Sequence, residues 1–170
     1  MAQNVEIKAR LADFQKTLSI AQEIADGPET RLIQEDVFFN VPQGRLKLRI
    51  FSTDQSELIY YERDDSSGPK LSSYEIFKLG APDGLQSLLA SALGIRGIVK
   101  KQRHLYFVGQ TRIHLDQVEG LGDFLELEVV LRDEQSLAEG EKIAQALMGQ
   151  LSIQKDSLID CAYIDLITPA

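Results

Sequence analysis

The chain has a single cysteine, Cys161, and no tryptophan. One thiol excludes an intramolecular disulfide and a thiolate zinc centre, and makes a reducing, cytoplasmic setting the expectation. Only two histidines occur, His104 and His114, without the HExxH spacing of a zinc hydrolase. His114 shares a strand face with Arg112 and Asp116 and either orients a ligand or moves protons; the supporting role, holding a neighbour in place, is the preferred reading. No apolar run approaches the roughly 18–20 residues that span a bilayer, and no basic-then-apolar leader opens the chain, so no membrane partner is expected. Positive charge is scarce too: 18 Lys and Arg against 26 Asp and Glu leave a net charge of −8. Such a surface does not hold nucleic acid by bulk charge, so any anionic ligand must be bound by local clusters of Lys and Arg. No Ser, Thr or Cys has an evident base beside it. The glycines of Glu119-Gly120-Leu121-Gly122-Asp123 precede a strand, not a helix, unlike a phosphate loop.

What the chain does have is alternation. Asn4-Val5-Glu6-Ile7-Lys8-Ala9-Arg10-Leu11 alternates without a break, which puts Asn4, Glu6, Lys8 and Arg10 on one face of a strand. The pattern returns at Arg45 to Arg49, Lys101 to Arg103, Arg112 to Asp116 and Glu126 to Glu128. Like charges two residues apart repel, so such faces call for a counter-charge.

The remaining signals outline an α+β fold. Phe14, Leu18, Ala21 and Ile24 predict a helix capped by Asp13 and stopped at Gly27-Pro28. Strands are predicted at Gln34–Val41, Arg45–Thr53, Glu57–Arg63 and Leu71–Leu79, the first two joined through Pro42-Gln43-Gly44. Leu85 to Leu93 predicts a second helix closed by Gly94, and strands follow at Ile98–Gly109, Gln110–Val118 and Phe124–Arg132. Ser136 and Glu139 form a capping box for a third helix, and Ser157–Ile167 reads as a short helix or turn. Hairpin-length connections favour an eight-stranded antiparallel β-barrel with flanking helices, one domain over 1–170. Val5, Ile7, Ala9, Leu46, Leu48, Ile50, Leu125, Leu127 and Val129 would then point outward under the helices, and the charged face inward.

In a shared lumen, Lys8, Lys47, Arg49, Lys101, Arg103 and Arg112 suit phosphate oxygens, Arg as a planar fork and Lys as a point charge. Glu6, Asp116, Glu126 and Glu128 fit beside phosphates only if Mg²⁺ or Mn²⁺ lies between them. Taken singly, each group has a plain explanation: an exposed strand face for Glu126/Glu128, a cross-strand ion pair for Arg112/Asp116, a solubilising edge for Lys100-Lys101. Their joint occurrence favours the ligand-binding reading.

These residues resemble the CYTH superfamily, the triphosphate tunnel fold that includes class IV adenylyl cyclases and thiamine triphosphatases. The likeness rests on Asn4-Val5-Glu6-Ile7-Lys8 against the family's ExExK strand, on Gly44 to Arg49, and on Tyr61-Glu62-Arg63 with Lys70 and Ser73-Tyr74. It also rests on Val99 to Arg103, on the long block Ile113 to Glu128, and on Cys161 to Leu166. The resemblance implies that Glu6, Asp116, Glu126 and Glu128 ligate metal. It gives phosphates to Lys8, Lys47, Arg49, Arg63, Lys70, Lys101, Arg103 and Arg112, and the chemistry to Glu6, Lys8, Glu126 and Glu128. A homodimer is a further implication. One departure stands out, because the first Glu of ExExK is Asn4 here, which weakens one metal position.

Two activities follow from the likeness. Attack by water on the terminal phosphorus would make a triphosphatase acting on tripolyphosphate, thiamine triphosphate or a nucleotide. Attack by a ribose 3′-hydroxyl on the α-phosphorus would make an adenylyl cyclase. A non-catalytic tunnel that only binds polyphosphate or nucleotide, and a structural barrel with a solvated charged face, are the alternatives.

Overall fold

Every alternating segment becomes a strand of one closed sheet. The computed structural model describes residues 1–168; Pro169 and Ala170, the end of the expected 1–170 domain, lie outside the described residues. The strands are β1 (Ala2–Arg10), β2 (Thr30–Phe39), β3 (Arg45–Ser52), β4 (Gln55–Arg63), β5 (Lys70–Leu79), β6 (Ile95–Val108), β7 (Thr111–Val118) and β8 (Gly122–Val130). They close in the order β1-β5-β4-β3-β2-β6-β7-β8, with β8 antiparallel to β1. Closure removes the sheet edges, and eight strands enclose room for side chains and one small ligand. The eight-stranded antiparallel barrel is therefore as expected.

Some boundaries move, for reasons of pairing. β2 begins at Thr30, not Gln34, because Thr30 to Ile33 pair with Leu105 to Gln102 of the long β6. β6 starts at Ile95, directly after Gly94, and meets Phe39 past a register shift at Phe38/Phe39. β8 starts at Gly122, which pairs with Val118 across a tight turn.

Among the described residues, α1 (Phe14–Ile24), α2 (Asp83–Leu93) and α3 (Leu137–Gln150) pack on the outer face, and a short α4 (Tyr163–Ile167) lies at one end. The predicted caps form. Asp13 accepts from Lys16 N at 3.0 Å, Glu139 N donates to Ser136 Oγ at 3.2 Å, and Ser136 N donates back to Glu139 at 2.8 Å. No described helix is long and apolar enough to cross a membrane.

The outward face of the barrel is the apolar one. Val5, Ile7, Ala9, Leu125, Leu127 and Val129 are fully buried in the core beneath α1 and α3. Leu46, Leu48 and Ile50 pack with Leu85, Leu89 and Leu93 of α2. Each fully buried aliphatic side chain contributes about 1.5–3 kcal/mol, enough to hold a sheet whose inside is polar.

α3 sits on β1 so closely that a Cβ at Gly140 would lie 2.6 Å from both Leu131 Cδ2 and Val5 Cγ2. Ala normally favours a helix interior by about 1 kcal/mol over Gly. Here overpacking reverses the sign, and Gly140→Ala lowers stability by about 1–3 kcal/mol. Urea unfolding of the two proteins measures it.

One end of the barrel is plugged. Phe38, Val99, Val118 and Phe124 form an apolar cluster with Tyr163 and Ile164 of α4. Gly97 permits this approach, since a Cβ there would meet Ile164 Cδ1 at 2.7 Å. Asp165 of α4 accepts from Arg45 at 2.9 Å and from Arg96 at 2.5 Å, tying the plug to β3 and β6. The opposite mouth is ringed by Leu32, Phe51, Ile76 and Leu105, of which Ile76 is 43% exposed.

Candidate functional site

Alternation on a closed sheet sends every second residue inward, and those residues enclose a cavity of about 330 Å³. β1 supplies Asn4, Glu6 and Lys8; β2 supplies Gln34 and Asp36; β3 supplies Lys47 and Arg49. Arg63 comes from β4, Lys101 and Arg103 from β6, Arg112 and His114 from β7, and Glu126 and Glu128 from β8. Tyr163 of the plug forms part of the floor. The charged faces are thus internal, which removes the reading of a solvated outer face.

The lumen neutralises itself in pairs. Lys8 lies 3.0 Å from Glu126 and is stacked 4.1 Å from the centre of the Tyr163 ring. Arg63 binds Glu6, and Arg112 lies 2.8 Å from Glu128. Arg103 makes two 2.7 Å bonds to Asp116 and comes within 3.7 Å of Glu126. Asp36 accepts from Lys47, Arg49 and Lys101 at 2.8–3.1 Å.

Two expected site residues stand elsewhere. Asp116 does not line the cavity: it lies behind Arg103, and Tyr163 donates a 2.8 Å hydrogen bond to it as well. Its oxygens are paired with Arg103 and Tyr163, and it is not among the groups whose donor atoms converge. Lys70 is buried outside the cavity wall, where its ammonium donates to the carbonyls of Ser66 at 2.7 Å and Ile159 at 3.4 Å. It fastens the loop before β5 to the tail.

The donor atoms that do converge are those of His114, Glu126 and Glu128, all within 4.8 Å of one another. Glu6 pairs in register with Glu128, beside this group, but is held by Arg63. His114 therefore stands in the cavity as a potential ligand, not merely as a support for a neighbour. His104 faces the other way; its Nδ1 is 2.7 Å from Glu29, which also accepts from Tyr106.

Burial and neighbouring charge set the protonation states. Burial lifts the Glu128 carboxyl to about 7, and the adjacent Glu126 adds to the effect. Glu126 goes the other way: burial opposes ionisation, but Lys8 and Arg103 outweigh it and hold the carboxyl well below its usual range. Burial, then Arg103, lowers His114 to about 4, so its imidazole is neutral at pH 7 and free to ligate. Burial brings Lys101 down to about 7 and Lys47 to about 8, with Arg49 adding to both and Asp36 opposing.

Asp36, Gln34 and Tyr163 were not among the expected site residues. Asp36 was legible in principle: the turn at Pro42-Gln43-Gly44 sets β2 against β3 so that Asp36 faces Arg49. Phe38, on the same face, hid the polar alternation. Tyr163 carried no local signal, because only the return of the tail beneath the barrel brings it to the site.

A closed antiparallel tunnel with a charged lumen, plugged at one end, defines the class of protein. The CYTH domain model matches residues 2–163, and the chain belongs to that family. Over 94% of its length it is 28% identical to the adenylate cyclase CyaB of Aeromonas hydrophila, of which it covers 85%. The PH1012 protein of Pyrococcus horikoshii superposes with a TM-score of 0.84 at 26% identity, covering 96% of this chain and 98% of that one. At 14% identity the fold is also that of HpAC1 from Hippeastrum, named as an adenylyl cyclase and reported to have a dominant triphosphatase activity (TM-score 0.64, covering 95% and 91%).

Proposed function

We propose that this protein is a divalent-metal-dependent enzyme that binds a triphosphate in the barrel lumen and cleaves a phosphoanhydride bond. The observation that carries this reading is the charge of the cavity wall. Eight Lys and Arg side chains line it against five carboxylates, a surplus of three in a chain whose net charge is −8. Asp116 behind Arg103 reduces the surplus to two. A triphosphate brings about four negative charges, so triphosphate plus one divalent cation balances the lumen.

The residues fit such an ion. A neutral imidazole and two carboxylates converge in a buried site, and the Asn4 amide oxygen is buried nearby on the same wall without a partner. His114, Glu126 and Glu128 would hold the ion, which neutralises phosphate charge and polarises the phosphorus–oxygen bond when bound. Lys8, Lys47, Arg49, Arg63, Lys101, Arg103 and Arg112 would position the chain of phosphates, exclude water from it and stabilise the charge that develops on the leaving group. The relatives named as adenylate cyclases, and the neighbour reported to be chiefly a triphosphatase, support both outcomes of one lumen: hydrolysis, or cyclisation of a nucleotide with release of pyrophosphate.

Asn4 favours a second reading, a tunnel that binds without turnover. Its uncharged side chain stands where the family places a carboxylate. Phosphorus NMR with tripolyphosphate, ATP and thiamine triphosphate, each with Mg²⁺ or Mn²⁺, tests both. Orthophosphate identifies a triphosphatase, and pyrophosphate with cyclic nucleotide a cyclase. Line shifts without products identify a binding module, in which case Asn4→Glu restores turnover.

Binding also has an expected pH dependence. A bound polyanion favours the protonated forms of Lys101 and Lys47, whose ammonium groups lose protons near pH 7 and 8 in the free protein. Triphosphate binding at pH 8 therefore takes up protons, and affinity falls between pH 6 and 9. Calorimetry in two buffers of different ionisation enthalpy measures the uptake; a binding heat independent of buffer contradicts it.

A further inference from the structure

Tyr163 is the cavity's aromatic group that comes from outside the sheet. It stands at the start of α4, which Asp165 fastens to Arg45 of β3 and Arg96 of β6. The side chain is 5% exposed and packs on Phe124, with 4.9 Å between ring centres. It also lies against three of the cations that the triphosphate reading assigns to phosphate. Its ring centre is 4.1 Å from Lys8 Nζ and 5.5 Å from Lys101 Nζ. Its hydroxyl donates to Asp116 Oδ2 at 2.8 Å, the same oxygen that accepts from Arg103 Nη2 at 2.7 Å. Burial, with Asp116 beside it, holds the phenol well above its usual range, so the hydroxyl stays protonated and remains a donor.

We infer that Tyr163 is a positioning residue: from the returning tail it holds Lys8 and Arg103 in the geometry that receives the phosphates, acting through them and not on the ligand. This rests on the triphosphate reading of the same cavity. A Lys side chain is a point charge on a flexible stem, so partners must impose its place. Lys8 is held by Glu126 at 3.0 Å and by the Tyr163 ring. When Glu126 turns to the divalent ion, the face of the ring, which attracts a cation, still holds Lys8. Arg103 is aimed by its two bonds to Asp116, and the Tyr163 hydroxyl steadies that carboxylate. A tyrosine that merely filled the plug would stabilise the fold and leave the folded protein's affinity for phosphates untouched.

Calorimetry of tripolyphosphate with Mg²⁺, at a temperature where every protein is folded, tests this on the wild type, Tyr163→Phe and Tyr163→Leu. Tyr163→Leu loses ring and hydroxyl and is expected to bind about tenfold more weakly. Tyr163→Phe keeps the ring and is expected to lose about threefold. With Lys8→Met already present, Tyr163→Leu is expected to cost at most about threefold, because one of the groups it positions is gone. The same loss in both backgrounds, or lower stability in urea with wild-type affinity in both variants, overturns the inference. NMR of isotope-labelled lysine adds a readout that a structural role would not move. The ε-methylene protons of Lys8, identified by their absence from Lys8→Met, are expected upfield under the ring current and to stay there with tripolyphosphate and Mg²⁺ bound. Should Tyr163→Leu fail to fold, this spectrum decides: an unshifted Lys8 signal in the saturated wild type means that the ring does not hold it. Absence of binding by the wild type removes the proposed function and this inference with it; binding with unchanged variants removes only the role of Tyr163.

Discussion

Glu126→Gln combined with Glu128→Gln lowers turnover of the triphosphate by about 10³-fold or more, equivalent to ~4 kcal/mol of transition-state stabilisation. The two carboxylates and His114 are the groups whose donor atoms converge, and the amides keep shape and hydrogen bonding while removing both charges. A measurement besides activity separates loss of the ion from loss of the fold. Mn²⁺ raises the melting temperature of the wild type, because an ion bound only by the folded state stabilises it, and has no such effect on the double variant. Glu128 alone adds a pH signature. Its carboxyl is raised in the folded protein to about 7, from an ordinary 4.5, so its contribution to stability is fully present below pH 4.5 and lost as pH rises through 7. Glu128→Gln is therefore more stable than wild type at pH 8 and gains little at pH 4.

Arg103→Ala destabilises the protein by about 3–5 kcal/mol, the cost of leaving a buried charge without its partner. Arg103 is 4% exposed, and Asp116, which it grips with two hydrogen bonds, is not exposed at all. Only the Tyr163 hydroxyl remains to Asp116 afterwards. Adding Asp116→Leu to Arg103→Ala removes the orphaned carboxylate and restores part of the loss. Urea unfolding of the two single variants and the double variant gives the coupling directly. Equal and additive losses would mean that the pair does not interact as drawn.

Most of the barrel was legible because a strand buried on one apolar and one charged face repeats with period two, and no other element does. The same alternation correctly turned Val5, Ile7 and Leu127 outward and Glu6, Lys8 and Glu126 inward. What it could not supply was register. Asp116 shares the inward parity of His114, yet Arg103, opposite it on β6, holds it behind the wall. Lys70 shares the parity of Ser72 and Tyr74, but lies at the end of β5, where backbone carbonyls reach its ammonium first. Asp36 and Tyr163 join the site through pairing across β2–β3 and through the returning tail, contacts between residues far apart in the chain. Period-two reading finds faces; only closure of the barrel decides which charges meet.

The central claim is that the lumen is balanced by a triphosphate and a single divalent ion. Counting Mn²⁺ by electron paramagnetic resonance, in protein saturated with a nonhydrolysable triphosphate analogue, tests it most directly. One tightly bound ion per chain is expected, absent from the Glu126→Gln/Glu128→Gln variant. Two equally tight ions, or one that survives the double substitution, would contradict it.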